Sequence, residues 1–205
     1  MNFRDGTPSP YGESVISPDT PLEDLTFVVF DTETTGLEPG YVLQLAFVVV
    51  RGNGEVVDCH RTYIKRHFWR PGRLGAHHVH GITRRHLRSG VPIADAISAL
   101  ESACVGAVPV AHNASFDLTF LKAECARLSR SLQLEPTLCT LRLSRSLDQG
   151  RTRRHKLANL VEHYGLDSTP NHDALADAQA TAAVLPYLLR DRGVSRLSEI
   201  SNYRE

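Results

Sequence analysis

Apolar positions along the chain change their spacing twice. From residue 25 to 31, and again from 42 to 50, they run almost unbroken, the second run interrupted only by Gln44. Short runs rich in β-branched and aromatic residues predict strands. Arg51-Gly52-Asn53-Gly54 is a hairpin signal and leads into a third strand at about residues 55–64. Three consecutive strands joined by short turns imply an antiparallel start. After Pro92 the spacing becomes helical, with Ile93, Ala96, Ile97 and Leu100 on one face and Pro near the helix start. Residues 108–111 form a short apolar strand, and Asn113 is placed to cap a helix carrying Phe116, Phe120, Leu121 and Leu128. Residues 137–140 predict another strand. Residues 156–164 and 173–189 predict helices, the first ended by Gly165. The order, βββ and then alternating α and β, predicts an α/β fold with a mixed sheet and helices on its faces. Residues 1–22 carry Pro8, Pro10, Pro18 and Pro21 without apolar periodicity and are expected as a flexible tail. The folded unit is expected over 23–190, with 191–205 as a short C-terminal tail.

Composition narrows the class. With 205 residues, 41% apolar and 22% charged, the chain has ordinary globular content and length for one substantial core. Lys plus Arg and Asp plus Glu both number 23, which excludes a uniformly basic nucleic-acid coat. Cys59, Cys104, Cys125 and Cys139 form no C-x-x-C pair, arguing against a zinc ribbon or a disulfide scaffold and for buried reduced thiols. The chain opens with no secretory pattern, and its longest apolar stretch is too short to span a bilayer, so a cytoplasmic protein without membrane attachment is expected.

Charge is locally uneven although the sum is zero. Residues 61–90 hold eight Lys or Arg and no acid, and residues 142–156 hold six against Asp148 alone. Residues 16–40 hold six acids and no base. An acidic centre between basic flanks suits a metal site serving a polyanion. The basic side chains are 20 Arg against 3 Lys, a bias that suits phosphate recognition and that a GC-rich genome would also produce.

The acids fall at informative places. Phe27-Val28-Val29-Phe30-Asp31-Thr32-Glu33 ends an apolar strand in two carboxylates, and strand alternation points Asp31 and Glu33 the same way. A divalent cation would offset their repulsion, and hard carboxylate oxygens suit Mg²⁺ or Mn²⁺. An isolated Asp-x-Glu is more simply a strand leaving the core. An apolar strand ending in Asp also fits a nucleotide hydrolase, but no phosphate-cradling Gly-rich Lys motif accompanies it. Asp117 lies in His112-Asn113-Ala114-Ser115-Phe116-Asp117, in the first turns of a helix, where the helix dipole alone would favour an acid. His172 and Asp177 flank a helix start at which Asp173 is the expected N-cap. On one regular helix the pair would diverge by about 140°. With His172 on the preceding loop, both can face one cleft.

Together, in this order, these segments resemble the DEDDh 3′→5′ exonuclease family, of the DNA polymerase III epsilon or ribonuclease T type. Phe30-Asp31-Thr32-Glu33-Thr34-Thr35-Gly36, His112 to Asp117, and His172 with Asp177 correspond to its three motifs. His80-Gly81-Ile82-Thr83, Cys139-Thr140-Leu141 and His155-Lys156-Leu157 are similar to family signatures between them. The resemblance runs from about Leu25 to Leu189. It implies a ribonuclease H-like fold and hydrolysis of single-stranded nucleic acid, DNA favoured, from the 3′ end to nucleoside 5′-monophosphates. It implies two divalent cations, Mg²⁺ or Mn²⁺. Asp31, Glu33 and Asp177 would hold one, Asp31 with Asp117 the other, and His172 would be the general base. Thr34, Gly36, Leu37, His80, His112, Asn113 and Phe116 are the implied substrate contacts, although helical spacing with Phe120 suits Phe116 equally to the core. The implied partners are 3′ ends of single-stranded DNA or RNA and a DNA polymerase or repair complex. An RNA-trimming enzyme of the same family shares these residues. A non-catalytic nucleic-acid-binding module on the same fold is the reading from another class. His77-His78-x-His80 lacks a nearby cysteine or acid for a zinc site, and Trp69 suits packing as well as base stacking.

Overall fold

The structure, a computed structural model, describes residues 16–37, 40–66, 77–134 and 136–205. Trp69, and with it His67, Arg70 and Arg73 of the first basic segment, lie outside the described residues. Strands β1 (Thr26–Thr34), β2 (Val42–Arg51) and β3 (Val56–Tyr63) form the antiparallel start. Short helices α1 (His77–His80) and α2 (Arg84–Arg88) and the longer α3 (Ile93–Ala103) lead to β4 (Val108–Ala111). Then follow α4 (Ala114–Arg127), β5 (Leu138–Cys139), α5 (Thr140–Ser146), α6 (Leu157–His163) and α7 (Ala174–Arg192). The sheet order is β3-β2-β1-β4-β5, with β4 parallel to β1 and β5 parallel to β4. This is the mixed sheet of a ribonuclease H-like fold.

Strand β1 sits centrally and is apolar because both its faces are covered. Phe27 and Val29 pack into a core built with Ala178, Val184, Leu185 and Leu188 of α7. Val28 and Phe30 enter a second core, with Ile97 and Leu100 of α3 and Leu118 and Leu121 of α4. Strand β3 is the sheet's edge and is mostly exposed. It carries Cys59, the one exposed thiol. Cys104 is half-buried, Cys125 and Cys139 are buried, and all four are unpaired. The expectation of buried thiols therefore fails at Cys59, because the start of this edge strand, Val56 to Cys59, is left uncovered.

The hairpin forms where predicted. A side chain at Gly52 would lie 1.7 Å from the Leu22 carbonyl oxygen, so only glycine lets that backbone approach. Gly165 also stops its helix as expected. Its φ is +62°, and the amides of Gly165 and Leu166 return to the carbonyls of Glu162 (3.1 Å) and Val161 (3.0 Å).

Four local expectations change. Asn113 stands at the N-terminal boundary of α4 but makes no side-chain cap, because it adopts φ +65° and offers its carbonyl to the Phe116 amide instead. Thr140 begins α5 rather than ending β5, since burial of Thr140, Leu143 and Ser144 on one helical face decides the segment. The C-terminal segment, expected as a tail, folds back in a 3₁₀ turn over Leu197–Tyr203 that buries Leu197, Ile200 and Tyr203. Glu205 and Thr137 exchange backbone hydrogen bonds of 2.8 and 3.1 Å, which covers the open edge of β5. Part of the expected N-terminal tail joins the same structure: the amides of Leu197 and Ser198 donate to the carbonyls of Thr20 (3.0 Å) and Pro18 (2.8 Å). Among the described residues, no helix is long and apolar enough to cross a membrane.

If this closure is structural, Ile200→Ala should cost about 2–5 kcal/mol, the range for emptying a buried isoleucine site. Urea unfolding would measure it, and a loss below about 0.5 kcal/mol would return the segment to the status of a tail.

Candidate active site

Strand β1 pairs with β4 only from Phe27 to Val29 and then continues beyond it. Past that point, β1 has no strand on this side to receive its amides. The Asp117 carboxylate takes the vacant position: its Oδ1 accepts from the Thr32 N–H at 2.9 Å and from the Thr32 hydroxyl at 2.7 Å. Thr32 faces the α4 side, whereas Asp31 and Glu33 continue the row of Phe27 and Val29 toward α7. The first turn of α4 thus delivers one buried acid to the strand end that already carries two.

The fourth acid comes from α7. Asp173 caps this helix as expected, its Oδ1 accepting from the amides of Leu175 (3.1 Å) and Ala176 (3.2 Å). Its Oδ2 accepts from Gln44 Nε2 at 3.0 Å and pairs with Arg61 at 3.4 Å. Gln44 Oε1 in turn accepts from the Ala174 amide at 3.1 Å. Gln44 is 1% exposed and stands opposite Glu33 in the β1–β2 ladder. One buried amide therefore fastens the start of α7 beside Glu33, and Asp177 follows one turn later. This residue was absent from the sequence-based site. Its only trace is a single polar position inside the apolar run of β2.

His172 lies on the loop before α7 with φ +61°, a left-handed backbone that turns the chain toward the cleft. The Asn171 amide donates to Asp177 Oδ1 at 3.0 Å. One ligand atom each from Glu33, His172 and Asp177 lies within 4.8 Å of the others.

Burial and mutual repulsion dominate the electrostatics. Burial pushes Glu33 up to about 8, with further upward pressure from Asp177, Asp117 and Asp173. Asp31 is raised well above the usual carboxylate range by burial and then by Asp117, Asp177 and Glu33. Burial also raises Asp117, against the opposing hydrogen bonds from Thr32. Asp177 is raised by burial, while the Asn171 amide and His172 pull it down. Four carboxylates that resist ionising together form a hard-oxygen donor set that a divalent cation would stabilise. Among the described residues, no cysteine joins this group.

The remaining predicted residues separate into two groups. Leu37 is 90% exposed just beyond β1, and the Thr34 hydroxyl donates to the Gly36 carbonyl at 2.8 Å, shaping the turn between them. A side chain at Gly36 would meet nothing within 4 Å, so this turn is open to solvent. The other residues have roles within the protein. His80 Nδ1 accepts from the Ile82 amide at 3.0 Å, which ties it to its own turn. His112 Nδ1 bonds the Thr140 hydroxyl at 2.9 Å, beside the exposed Asn113. The Phe116 ring packs at 5.0 Å from Phe120, at the margin of the second core. Of the first basic segment, Arg61 is paired with Asp173, and Arg66 is bound to buried Glu124, whose Oε1 also accepts from the Val42 amide at 2.9 Å.

A mixed sheet covered on both faces, with four acids and a histidine gathered at one end of its central strands, defines a ribonuclease H-like nuclease domain. The chain belongs to the Exonuclease family of ribonuclease T type, which it matches over residues 28–185. It is 35% identical over 205 residues to a DNA polymerase III PolC-type of Oceanobacillus iheyensis, covering 98% of this chain and 13% of that protein. It is also 35% identical over 176 residues to the DNA polymerase III PolC-type of Bacillus subtilis, covering 83% of this chain and 12% of that protein. The chain thus corresponds to a small part of these relatives. Among solved structures, exonuclease X in complex with 5′-overhanging duplex DNA superposes with a TM-score of 0.65 at 24% identity, covering 85% of this chain and 97% of that one. E. coli exonuclease I in complex with a dT13 oligonucleotide superposes with a TM-score of 0.68 at 20% identity, covering 83% and 42%. At these identities the superpositions establish the shared fold.

Carboxylates raised in the folded state bind protons that the unfolded chain has released. Stability of the metal-free protein should therefore fall as pH rises from about 4.5 towards 8, the window opened by Glu33. Thermal melts in EDTA should show this decline, Glu33→Gln should flatten it, and a profile already flat in the wild type would contradict the repulsive cluster. Gln44→Leu should cost about 1–3 kcal/mol in urea unfolding, because it leaves the buried Ala174 amide without its acceptor and Asp173 Oδ2 with Arg61 alone.

Proposed function

We propose that the chain is a metal-dependent 3′→5′ exonuclease that acts on single-stranded nucleic acid, with DNA preferred, and releases nucleoside 5′-monophosphates. Its setting is epsilon-like proofreading or repair alongside a DNA polymerase. The observation that carries this reading is the convergence of Glu33, His172 and Asp177 within 4.8 Å, among carboxylates that include Asp31 and Asp117. Relatives named DNA polymerase III PolC-type support the polymerase setting.

Asp31, Glu33 and Asp177 would hold one divalent cation, and Asp31 with Asp117 the second, with Mg²⁺ or Mn²⁺ matching the oxygen donors. When bound, such ions neutralise charge on the phosphodiester and lower the pKa of a bound water. The chain's own residues supply the rest. The Thr32 and Asn171 amides fix the carboxylates of Asp117 and Asp177, so neither has to reorganise when substrate arrives. His172, exposed on its loop, takes the proton of the attacking water. Leu37 presents an apolar surface to the terminal base, and the free space beside Gly36 admits the sugar and phosphate. Contact with the face of a base tolerates any sequence.

A 5′-labelled single strand incubated with Mg²⁺ should shorten as a ladder from its 3′ end, and EDTA or Asp31→Ala should abolish the ladder. DNA and RNA strands run in parallel would rank the two sugars. His172→Ala should lower kcat by at least about 100-fold while Mg²⁺ still raises the melting temperature. A wild-type protein that binds the strand without shortening it in Mg²⁺ or Mn²⁺ would overturn the reading, and full activity of His172→Ala would remove that residue as the base.

A further inference from the structure

The second basic segment has a structure of its own, which the catalytic reading does not use. After α5 the chain wraps around Asp148, which is 7% exposed. Its carboxylate accepts from the amides of Thr152 (3.0 Å) and Arg153 (2.8 Å), from the Thr152 hydroxyl (2.9 Å) and from His155 Nε2 (3.2 Å). An ionised carboxylate only accepts, so Nε2 carries the proton and His155 Nδ1 is left for the Ser144 hydroxyl at 2.7 Å. These bonds hold the Asp148 acid well below the usual carboxylate range. The only acid in the segment is thus consumed internally, in fixing the loop.

What the loop displays is cationic. Arg145, Gln149, Arg151, Arg153 and His155 line, with Asp148, an open cavity of about 710 Å³. Arg153 and Arg154 continue to a neighbouring hollow of about 300 Å³ beside Asn159 and His163. Among the described residues, no ion pair involves Arg145, Arg151 or Arg154. Arg151 is held at φ +51°, outside the range an arginine ordinarily adopts, by a loop whose own bonds run to Asp148.

The tract adjoins the carboxylate site. Parallel pairing of Ala111 with Cys139 sets Thr140 beside His112, at the strand ends that lead to Asp117. The loop returns to the same place, where the His155 backbone bonds the half-buried His112. Arg153, which lines both hollows, donates to His163 Nε2 at 2.7 Å and to the Leu147 carbonyl at 3.4 Å, while among the described residues Arg145, Arg151 and Arg154 carry no ion pair. A row of Arg forks that starts at the edge of the cleft and passes along both hollows fits a chain of phosphates better than a single anion.

We propose that Arg145, Arg151 and the adjoining Arg153–Arg154 face bind the phosphodiester backbone of the strand being degraded, upstream of its 3′ end, as a tract separate from the carboxylate centre. The proposal rests on the nuclease reading for the identity of the ligand.

The test is the double variant Arg145→Gln/Arg151→Asn, in which Asn tolerates the left-handed backbone. Its charge-matched control is Arg51→Gln/Arg190→Gln, at exposed ion pairs elsewhere on the surface. Two substrates are compared: a single strand of about 20 nucleotides and the p-nitrophenyl ester of thymidine 5′-monophosphate, which is too short to reach the tract. The variant should lose about tenfold in kcat/KM on the strand at about 50 mM salt, with its log–log salt slope shallower by about 1.4 for two lost phosphate contacts. Ester turnover should stay within about twofold. Unchanged kinetics on the strand, equal losses on both substrates, or an equal loss in the control would each overturn the proposal. A loss confined to duplexes with recessed 3′ ends would assign the tract to the complementary strand and so overturn it as stated. If the wild type hydrolyses neither substrate, the nuclease reading fails, while fluorescence anisotropy of the labelled strand in EDTA still decides the tract by whether the double variant binds more weakly.

Discussion

Carboxylates that repel one another have to be held together by something stronger than their own preference. At the end of β1, Asp31 and Glu33 are fixed by the covalent alternation of one strand, and neither can retreat without unpairing the sheet. Asp117 is fixed by two hydrogen bonds from Thr32, and Asp177 by the helix that Asp173 caps and Gln44 anchors. The sheet, α4 and the first turn of α7 are thus joined through one electrostatically unfavourable centre. Burial raises the acids further, because low dielectric penalises each charge and strengthens each repulsion. The free energy for this is drawn from the two apolar cores on either side of β1, where valines and phenylalanines are almost wholly buried. A strained site of this kind is stable only on a rigid sheet, and a divalent cation would relieve its repulsion.

Neutral net charge is the sum of separate local arrangements. Of the acids in residues 16–40, Asp31 and Glu33 at the end of β1 line the cleft. Arg61 and Arg66, in the first basic segment, are occupied by Asp173 and Glu124 and so serve the fold rather than a ligand. In the second segment the pattern reverses: Asp148 serves the fold, and the arginines around it are left exposed. A charge count along the sequence weights the two segments alike, whereas in space Arg61 and Arg66 are tied to acids and, among the described residues, Arg145, Arg151 and Arg154 form no ion pair.

Periodicity located β1, β2, β3, β4, α3, α4, α6 and α7, because each has enough residues for its spacing to show on the chain itself. The short elements were less legible. Helix α5 follows a two-residue strand and spans only seven residues, with a single fully apolar buried position, Leu143, so its spacing was too short to read. The C-terminal turn read as a tail because Leu197, Ile200 and Tyr203 are few and scattered. Their burial depends on the free edge of β5 and on residues 18–20, neither of which is near in sequence.

The five candidate site residues were readable because their chemistry and order are carried by motifs: an acid pair at a strand end, an acid in a helix's first turn, and a histidine before a cap. By itself, then, the sequence determined the α/β order and named the candidate residues that the fold gathers at the end of β1. Which backbone groups hold those residues was decided only by the tertiary structure. Gln44 is 129 residues from Asp173, and Thr32 is 85 from Asp117, and hydrogen bonds of that separation leave no periodic trace on the chain. The same holds for Asp148 and its arginines, whose division between buried acceptor and exposed donors appears only once the loop has closed around the carboxylate.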